Sequence, residues 1–203
     1  MKIIILTSAG LSNQKITEEF LKLVNKSQSG IKVIFVPTAS RTKEELFYVD
    51  KSKKELLDIG VKDENIKVFN LDHKISYEEV EGFDVIYVCG GNTPYLLQKV
   101  RETGFDNIIK QFVENGKLYF GVSVGSIIAG PSIEISIPFD SNDVKMTDFT
   151  GLNLTDIVIS PHYKEAEKEI IEEFRKKLKY KIIPLTDNQA LLILNNEISL
   201  IGD

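Results

Sequence analysis

The sequence predicts an α/β protein built on a doubly wound, mainly parallel sheet with helices on both faces. Short, nearly continuous runs of β-branched and apolar residues recur along the chain, amphipathic helical stretches separate them, and loops rich in Gly, Ser and Thr follow them. Strands buried on both faces read as such runs, whereas a half-exposed antiparallel strand alternates apolar and polar residues.

In chain order, strands are expected at 2–6, 32–36, 66–70, 84–89, 117–121, 156–159 and 181–184, all in one parallel sheet. After the first strand, Ile16, Phe20, Leu21 and Val24 share one helical face, and after the second Leu46, Val49, Leu56 and Leu57 do the same. Another helix is expected to begin near Thr93-Pro94, with Thr93 as N-cap and Pro94 at the first helical position. Ile170, Ile171, Phe174 and Leu178 mark a further one. Segments 190–194 and 197–201 flank Asn195-Asn196 and spell a C-terminal β-hairpin closing one edge. No repeat, low-complexity tract or long linker interrupts the pattern, so residues 1–203 are expected to form one domain.

The 203 residues are 42% hydrophobic and 27% charged, ordinary globular values that allow a sizeable core. Cys89 is the sole cysteine, which rules out an internal disulfide, and no basic N-terminus followed by a long apolar stretch signals export, so a cytoplasmic protein is expected. The apolar runs fall far short of the roughly 20 residues that a membrane helix needs. A net charge of −5, with no lysine run interleaved with aromatics, argues against nucleic acid as a partner.

In a sheet of this kind ligands lie beyond the carboxyl ends of the strands, so the loops after strands carry the chemistry. Ser8-Ala9-Gly10, Pro37-Thr38-Ala39-Ser40, Gly90-Gly91-Asn92-Thr93 and the turn at Ser123 all converge on that edge. Gly121-Val122-Ser123-Val124-Gly125 is a G-x-S-x-G placed between an apolar strand and a helix. In such a nucleophile elbow a sharp turn exposes the serine hydroxyl, the flanking glycines avoid backbone collisions, and the next amide, here that of Val124, faces a developing oxyanion. Gly90-Gly91 is a tight turn whose N–H groups can approach a ligand, making Gly91 a candidate second oxyanion donor.

A serine nucleophile needs a base, and the chain has two histidines. His73 lies in the polar Asp72-His73-Lys74 loop and is expected to be solvent-exposed. His162, in Ser160-Pro161-His162-Tyr163, follows an apolar strand and lands on the same edge as Ser123. The order Ser, acid, His of α/β hydrolases places the carboxylate between the two, at Asp140, Asp143 or Glu134. Cys89 stands before the glycine turn and is a candidate thiol nucleophile, though a small buried apolar role suits it as well.

Taken together, Gly90-Gly91-Asn92-Thr93 followed by Leu96-Leu97, the stretch from Leu118 to Ser126, and Pro161-His162-Tyr163 resemble the peptidase E family of serine peptidases, which includes the aspartyl dipeptidases. The resemblance implies a fold related to the class I glutamine amidotransferases, a Ser-His-Asp triad, and no metal or organic cofactor. It also implies that the acid follows the nucleophile helix. Asp140 in Phe139-Asp140-Ser141 fits first, Asp143 second and Glu134 third. Two departures stand out: Val124 occupies a position where the family usually has Ala, and the segment after His162 reaches its arginine only at Arg175, late for the residue that binds an acidic side chain in aspartyl dipeptidases.

The expected chemistry is hydrolysis of a small peptide or amide through an acyl-enzyme, with Ser123 attacking, His162 as base, Asp140 orienting the imidazole, and Gly91 and Val124 stabilising the oxyanion. Asn92, Arg41 and Lys164 are the candidate substrate-binding residues, and Lys168 and Arg175 are further cations for an acidic substrate. An esterase on the same scaffold, or a binding protein that keeps the pocket without turnover, are the alternatives.

Overall fold

The computed structural model describes residues 1–195 and 197–203. It is mixed α/β, with a mostly parallel central sheet. The strands are β1 (Ile3–Thr7), β2 (Val33–Val36), β3 (Ile66–Val68), β4 (Val85–Val88), β5 (Leu118–Val122), β6 (Ile157–Ser160), β7 (Lys181–Pro184), β8 (Gln189–Leu194) and β9 (Glu197–Gly202). The helices are α1 (Gln14–Val24), α2 (Lys43–Asp58), α3 (Thr93–Glu102), α4 (Phe105–Glu114), α5 (Val124–Ala129) and α6 (Lys168–Lys177).

The main sheet has seven strands in the order β3-β2-β4-β5-β1-β8-β9. The five strands from β3 to β1 are parallel, and β8 and β9 add antiparallel at the β1 side. The expectation of one parallel sheet holding every strand from 2–6 to 181–184 is corrected here, because β6 and β7 form a separate two-stranded parallel sheet. Asn196, half of the expected Asn195-Asn196 turn, lies outside the described residues.

Alternation along the strands divides the core into two faces. Ile3 and Ile5 of β1 join Val33, Phe35, Val85, Tyr87 and Phe120 under α1, whose Ile16 and Phe20 are buried, and α2. Phe35, Tyr87 and Phe120 stack in succession across three neighbouring strands, with ring centroids 5.5 and 4.8 Å apart. Ile4 and Leu6 face the other way with Ile34, Val36, Ile86, Val88 and Tyr119, covered by α3, α4 and α5. Ile157, Val158, Ile159 and Ile182 of the small sheet belong to this second cluster, so burial rather than a shared ladder fixes that sheet in place.

Helix α4 has no counterpart among the expected elements, and α2 and α3 differ from expectation in detail. α2 buries Ser52 and Leu56, while Leu46 and Leu57 are exposed. The N-cap of α3 is Asn92, whose side chain accepts from the Tyr95 amide, so Thr93 is already helical.

The glycines of the Gly121–Gly125 turn are set by backbone contact. A Cβ on Gly121 would lie 2.7 Å from the backbone of Gly125, and one on Gly125 would lie 2.4 Å from the carbonyl oxygen of Val88 in β4. Helix α5 therefore sits directly against the strand that carries the Gly90-Gly91 loop. Gly125→Ala should push α5 off β4 and lower stability by about 1–3 kcal/mol; a denaturant midpoint equal to that of the parent chain would contradict this packing.

Candidate active site

Ser123 occupies the junction between β5 and α5 with φ 50° and ψ −108°, a backbone conformation rarely adopted by residues with side chains. The turn is braced from several sides. The Ser123 amide donates to Thr7 O (3.0 Å), extending the pairing of β5 with β1. The one proton of the Ser126 hydroxyl is shared between Thr7 O (2.7 Å) and Gly121 O (2.9 Å), and the buried Tyr119 hydroxyl donates to Gly125 O (2.7 Å).

His162 follows β6 and also has a left-handed backbone, φ 58°. Its Nε2 lies 2.9 Å from Ser123 Oγ. Its Nδ1 lies 2.6 Å from Oδ1 of Asp187, in the loop after β7. Because an ionised carboxylate only accepts, this contact puts the imidazole proton on Nδ1 and leaves the Nε2 lone pair for the serine hydroxyl. A hydroxyl so placed can lose its proton to the ring as it attacks a carbonyl carbon.

The pairing of the small sheet explains why Asp187 is there. Ser160 and Pro184 are opposite one another at the ends of β6 and β7. The ladder continues past them, with Leu185 N donating to Ser160 O (2.9 Å) and Tyr163 N to Leu185 O (3.0 Å). Burial disfavours the charged form of Asp187, but hydrogen bonds from His162 and Ser8, with the charges of His162 and Lys164, outweigh it and hold the carboxyl below the usual carboxylate range.

The carboxylate at the imidazole is thus Asp187, and none of the three expected candidates reaches the ring. Asp140 does not meet the imidazole; its Oδ2 accepts from the amide (3.0 Å) and hydroxyl of Thr93 at the start of α3. Burial pushes its carboxyl up, against those two hydrogen bonds and with added repulsion from Glu45. The other two carboxylates are also engaged elsewhere, Asp143 with Arg41 (3.0 Å) and Glu134 with Lys177 (2.8 Å). A signal for Asp187 was present in the sequence: Leu185-Thr186-Asp187-Asn188 follows a strand just as Ser8, Gly91, Ser123 and His162 do.

Two cavities meet at Ser123, Gly91 and His162. The larger, about 440 Å³, runs past Ser8, Ser40 and Asp187 to Glu45, Tyr48, Lys51 and Ser52 of α2. The smaller, about 260 Å³, is lined by Val124, Ile127, Ile135, Phe139, Asp140 and Glu167. Gly91 has φ +135°, and a Cβ there would lie 2.2 Å from Ala39 O, so the turn admits only glycine. Among the described residues, the amides of Gly91 and Val124 donate to no other group.

The expected substrate-binding residues lie outside both cavities. Asn92 caps α3 and donates to Ser141 O (2.9 Å). Arg41 stacks over Tyr95 (4.5 Å to the ring centroid) besides pairing with Asp143. Lys168 pairs with Glu165 and Arg175 with Glu172, while Lys164 is exposed near Asp187. Among the described residues, the lysine lining one of these two cavities is Lys51, which sits on α2 and not in a loop after a strand and is paired with Glu55 (3.8 Å). His73 is exposed beside Asp72, and Cys89 is buried, with its thiol pushed well up by burial. No described helix is long and apolar enough to cross a membrane.

Comparison with known proteins gives the family of the chain. The model of peptidase family S51 matches residues 4–201. An uncharacterized peptidase of Listeria innocua is 34% identical over 207 residues, covering 98% of this chain and 95% of its own. Peptidase E of a Nostoc species is 30% identical over 182 residues, covering 85% of this chain and 73% of its own. A provisionally named Peptidase E protein of Listeria monocytogenes superposes with a TM-score of 0.84 at 32% identity, covering 100% of this chain and 98% of its own. The chain belongs to peptidase family S51 and is an enzyme of the serine peptidase class.

The depressed ionisation of Asp187 sets the sign of one pH effect. Its folded-state pKa lies below the unfolded value of about 3.9, so its contribution to stability is present above that pH and is lost as pH falls through the folded value. Melting temperatures measured from pH 3 to pH 6 should therefore fall less steeply on the acid side for Asp187→Asn than for the parent chain. Parallel curves would show that the carboxylate gains nothing from its partners.

Proposed function

We propose that this S51 peptidase hydrolyses small peptides through an acyl-enzyme on Ser123, with His162 as general base and Asp187 as the acid that orients it. The observation carrying the reading is the unbroken relay from Ser123 Oγ to His162 Nε2 (2.9 Å) and from His162 Nδ1 to Asp187 Oδ1 (2.6 Å). Ser123 Oγ attacks the peptide carbonyl carbon as its proton passes to Nε2. The tetrahedral oxyanion is held by the amides of Gly91 and Val124, each such donor being worth on the order of 3 kcal/mol of barrier. Nε2–H then protonates the amine nitrogen, the C–N bond breaks, and the amine leaves. Water repeats the sequence on the ester, returning its proton through His162 and freeing Ser123.

Asp187 keeps the Nδ1–H tautomer and stabilises the imidazolium; Asp140, tied to Thr93, serves the wall of the smaller cavity instead. Cavities of about 440 and 260 Å³ on either side of Ser123 support a short peptide rather than a folded protein as substrate. We also take the chain as one peptidase E-like domain, with β8 and β9 joined as a C-terminal hairpin and a sheet related to that of the class I glutamine amidotransferases; the antiparallel β8–β9 pairing supports the hairpin.

Labelling by a serine-directed fluorophosphonate and turnover of a dipeptide library test the assignment. Ser123→Ala should abolish labelling and cost on the order of a million-fold in kcat. Asp187→Asn should cost about 10⁴-fold by favouring the wrong tautomer, while Asp140→Asn retains most of the turnover. A large loss in Asp140→Asn with an active Asp187→Asn would reverse the choice of acid.

A further inference from the structure

Ser8, the first residue after β1, is fully buried and stands where the main sheet meets the loops of the small one. Its hydroxyl donates to Asp187 Oδ1 (2.9 Å) and accepts from the backbone amide of His162 (2.7 Å). Its own amide donates to Gln189 O (3.3 Å), two residues beyond Asp187. We propose that Ser8 is a positioning residue for the hydrolytic reaction, its hydroxyl holding the Asp187 carboxylate and the His162 backbone in the one register that keeps the imidazole between Asp187 and Ser123. This rests on the Ser123–His162–Asp187 reading above.

A serine hydroxyl has one proton and two lone pairs. The carboxylate takes the proton and the His162 N–H takes a lone pair, so Ser8 joins the acid to the base's main chain without competing for Nδ1, which lies 3.4 Å away. Oδ1 thus accepts from both Ser8 and the imidazole, which fixes the rotation of a carboxylate whose side chain is 62% exposed. The same hydroxyl steadies the left-handed backbone at His162, a conformation that persists only where neighbours impose it.

Ser8 also tunes the relay electrostatically. Its donated proton draws charge from Oδ1, so removing it leaves more negative charge facing the imidazolium and makes the ring more basic. The other charged groups around the pair are Lys164 near Asp187, Glu167 and Asp140 along the smaller cavity, and Glu45 and Lys51 along the larger.

Fluorophosphonate labelling rates, measured against probe concentration and pH for the parent chain, Ser8→Ala, Ser8→Thr, Asp187→Asn and the Ser8→Ala/Asp187→Asn double variant, test the proposal. Ser8→Ala should lower the maximal labelling rate by up to about 100-fold at an unchanged half-saturating concentration, and move the acid limb to higher pH. Ser8→Thr, which keeps the hydroxyl, should restore most of the rate. In the Asp187→Asn background Ser8→Ala should cost little more, because the two act as a unit. If Ser8→Ala does not fold, Ser8→Cys, a weaker donor, should show the same displacement in smaller measure. An unmoved acid limb in a folded variant, or equal losses in both backgrounds, would overturn the role of Ser8 while leaving the relay intact. Asp187→Asn labelling at the parental rate would instead overturn the relay itself, and the proposal with it.

Discussion

The contact between His162 and Asp187 depends on the parallel pairing of β6 with β7, two strands that share no ladder with the main sheet. Each residue lies in a loop just past the end of its strand, and two further backbone hydrogen bonds carry the register beyond the strand ends. A slip of one residue would turn every side chain of β7 to its opposite face and take the loop with it. What anchors the pair is burial: Val158 and Ile159 are wholly enclosed against the α5 side of the main sheet. The site is thus assembled from two bodies, one carrying Ser123 and Gly91, the other His162 and Asp187, and their apolar interface sets the distance between them.

Strain and support coincide at this interface. Ser123 and His162 both have positive φ, and such conformations cost on the order of 1–3 kcal/mol each. They persist because the surroundings allow little else. Around Ser123 the constraint is close packing of Gly121 on Gly125 and of Gly125 on Val88. Around His162 it is the hydrogen bonds of its own amide to Ser8 and of the next amide to Leu185. The sharp turns expose the hydroxyl and ring nitrogen, and the packed backbone beneath keeps them aligned.

Much of this was legible in the sequence because it follows from local rules. Apolar runs located the strands of the parallel sheet to within two residues at each end, and the rule that function gathers beyond strand carboxyl ends brought out Ser8, Gly91, Ser123 and His162. An apolar run reports burial but not which sheet it joins, so the separation of β6 and β7 was not legible. Asp187 was not legible for a related reason: the order Ser, acid, His of other α/β hydrolases points between Ser123 and His162, whereas the carboxylate that contacts the imidazole follows it in the chain because β7 follows β6. Phe105, Ile108, Ile109 and Phe112 give α4 a helical apolar spacing, and in α2 Ser52 faces inward while Leu46 and Leu57 do not. A small polar residue can be buried where a helix closely approaches a sheet, and hydropathy alone does not register it.

Charge around the cavities distinguishes their two ends. Among the described residues, the smaller is lined by Asp140 and Glu167 and by no lysine or arginine, while the larger is lined by Glu45, Asp187 and Lys51, the last paired with Glu55 (3.8 Å). The two sides of Ser123 therefore differ in electrostatic surroundings. A crystal structure of the fluorophosphonate adduct tests the central claim most directly, because the phosphonyl group mimics the tetrahedral intermediate in place. The expected result is a covalent P–O bond to Ser123 Oγ, with the phosphonyl oxygen about 2.7–3.1 Å from the amide nitrogens of Gly91 and Val124 and the His162–Asp187 contact preserved. An adduct on another residue, or a phosphonyl oxygen turned to solvent with His162 separated from Asp187, would contradict it.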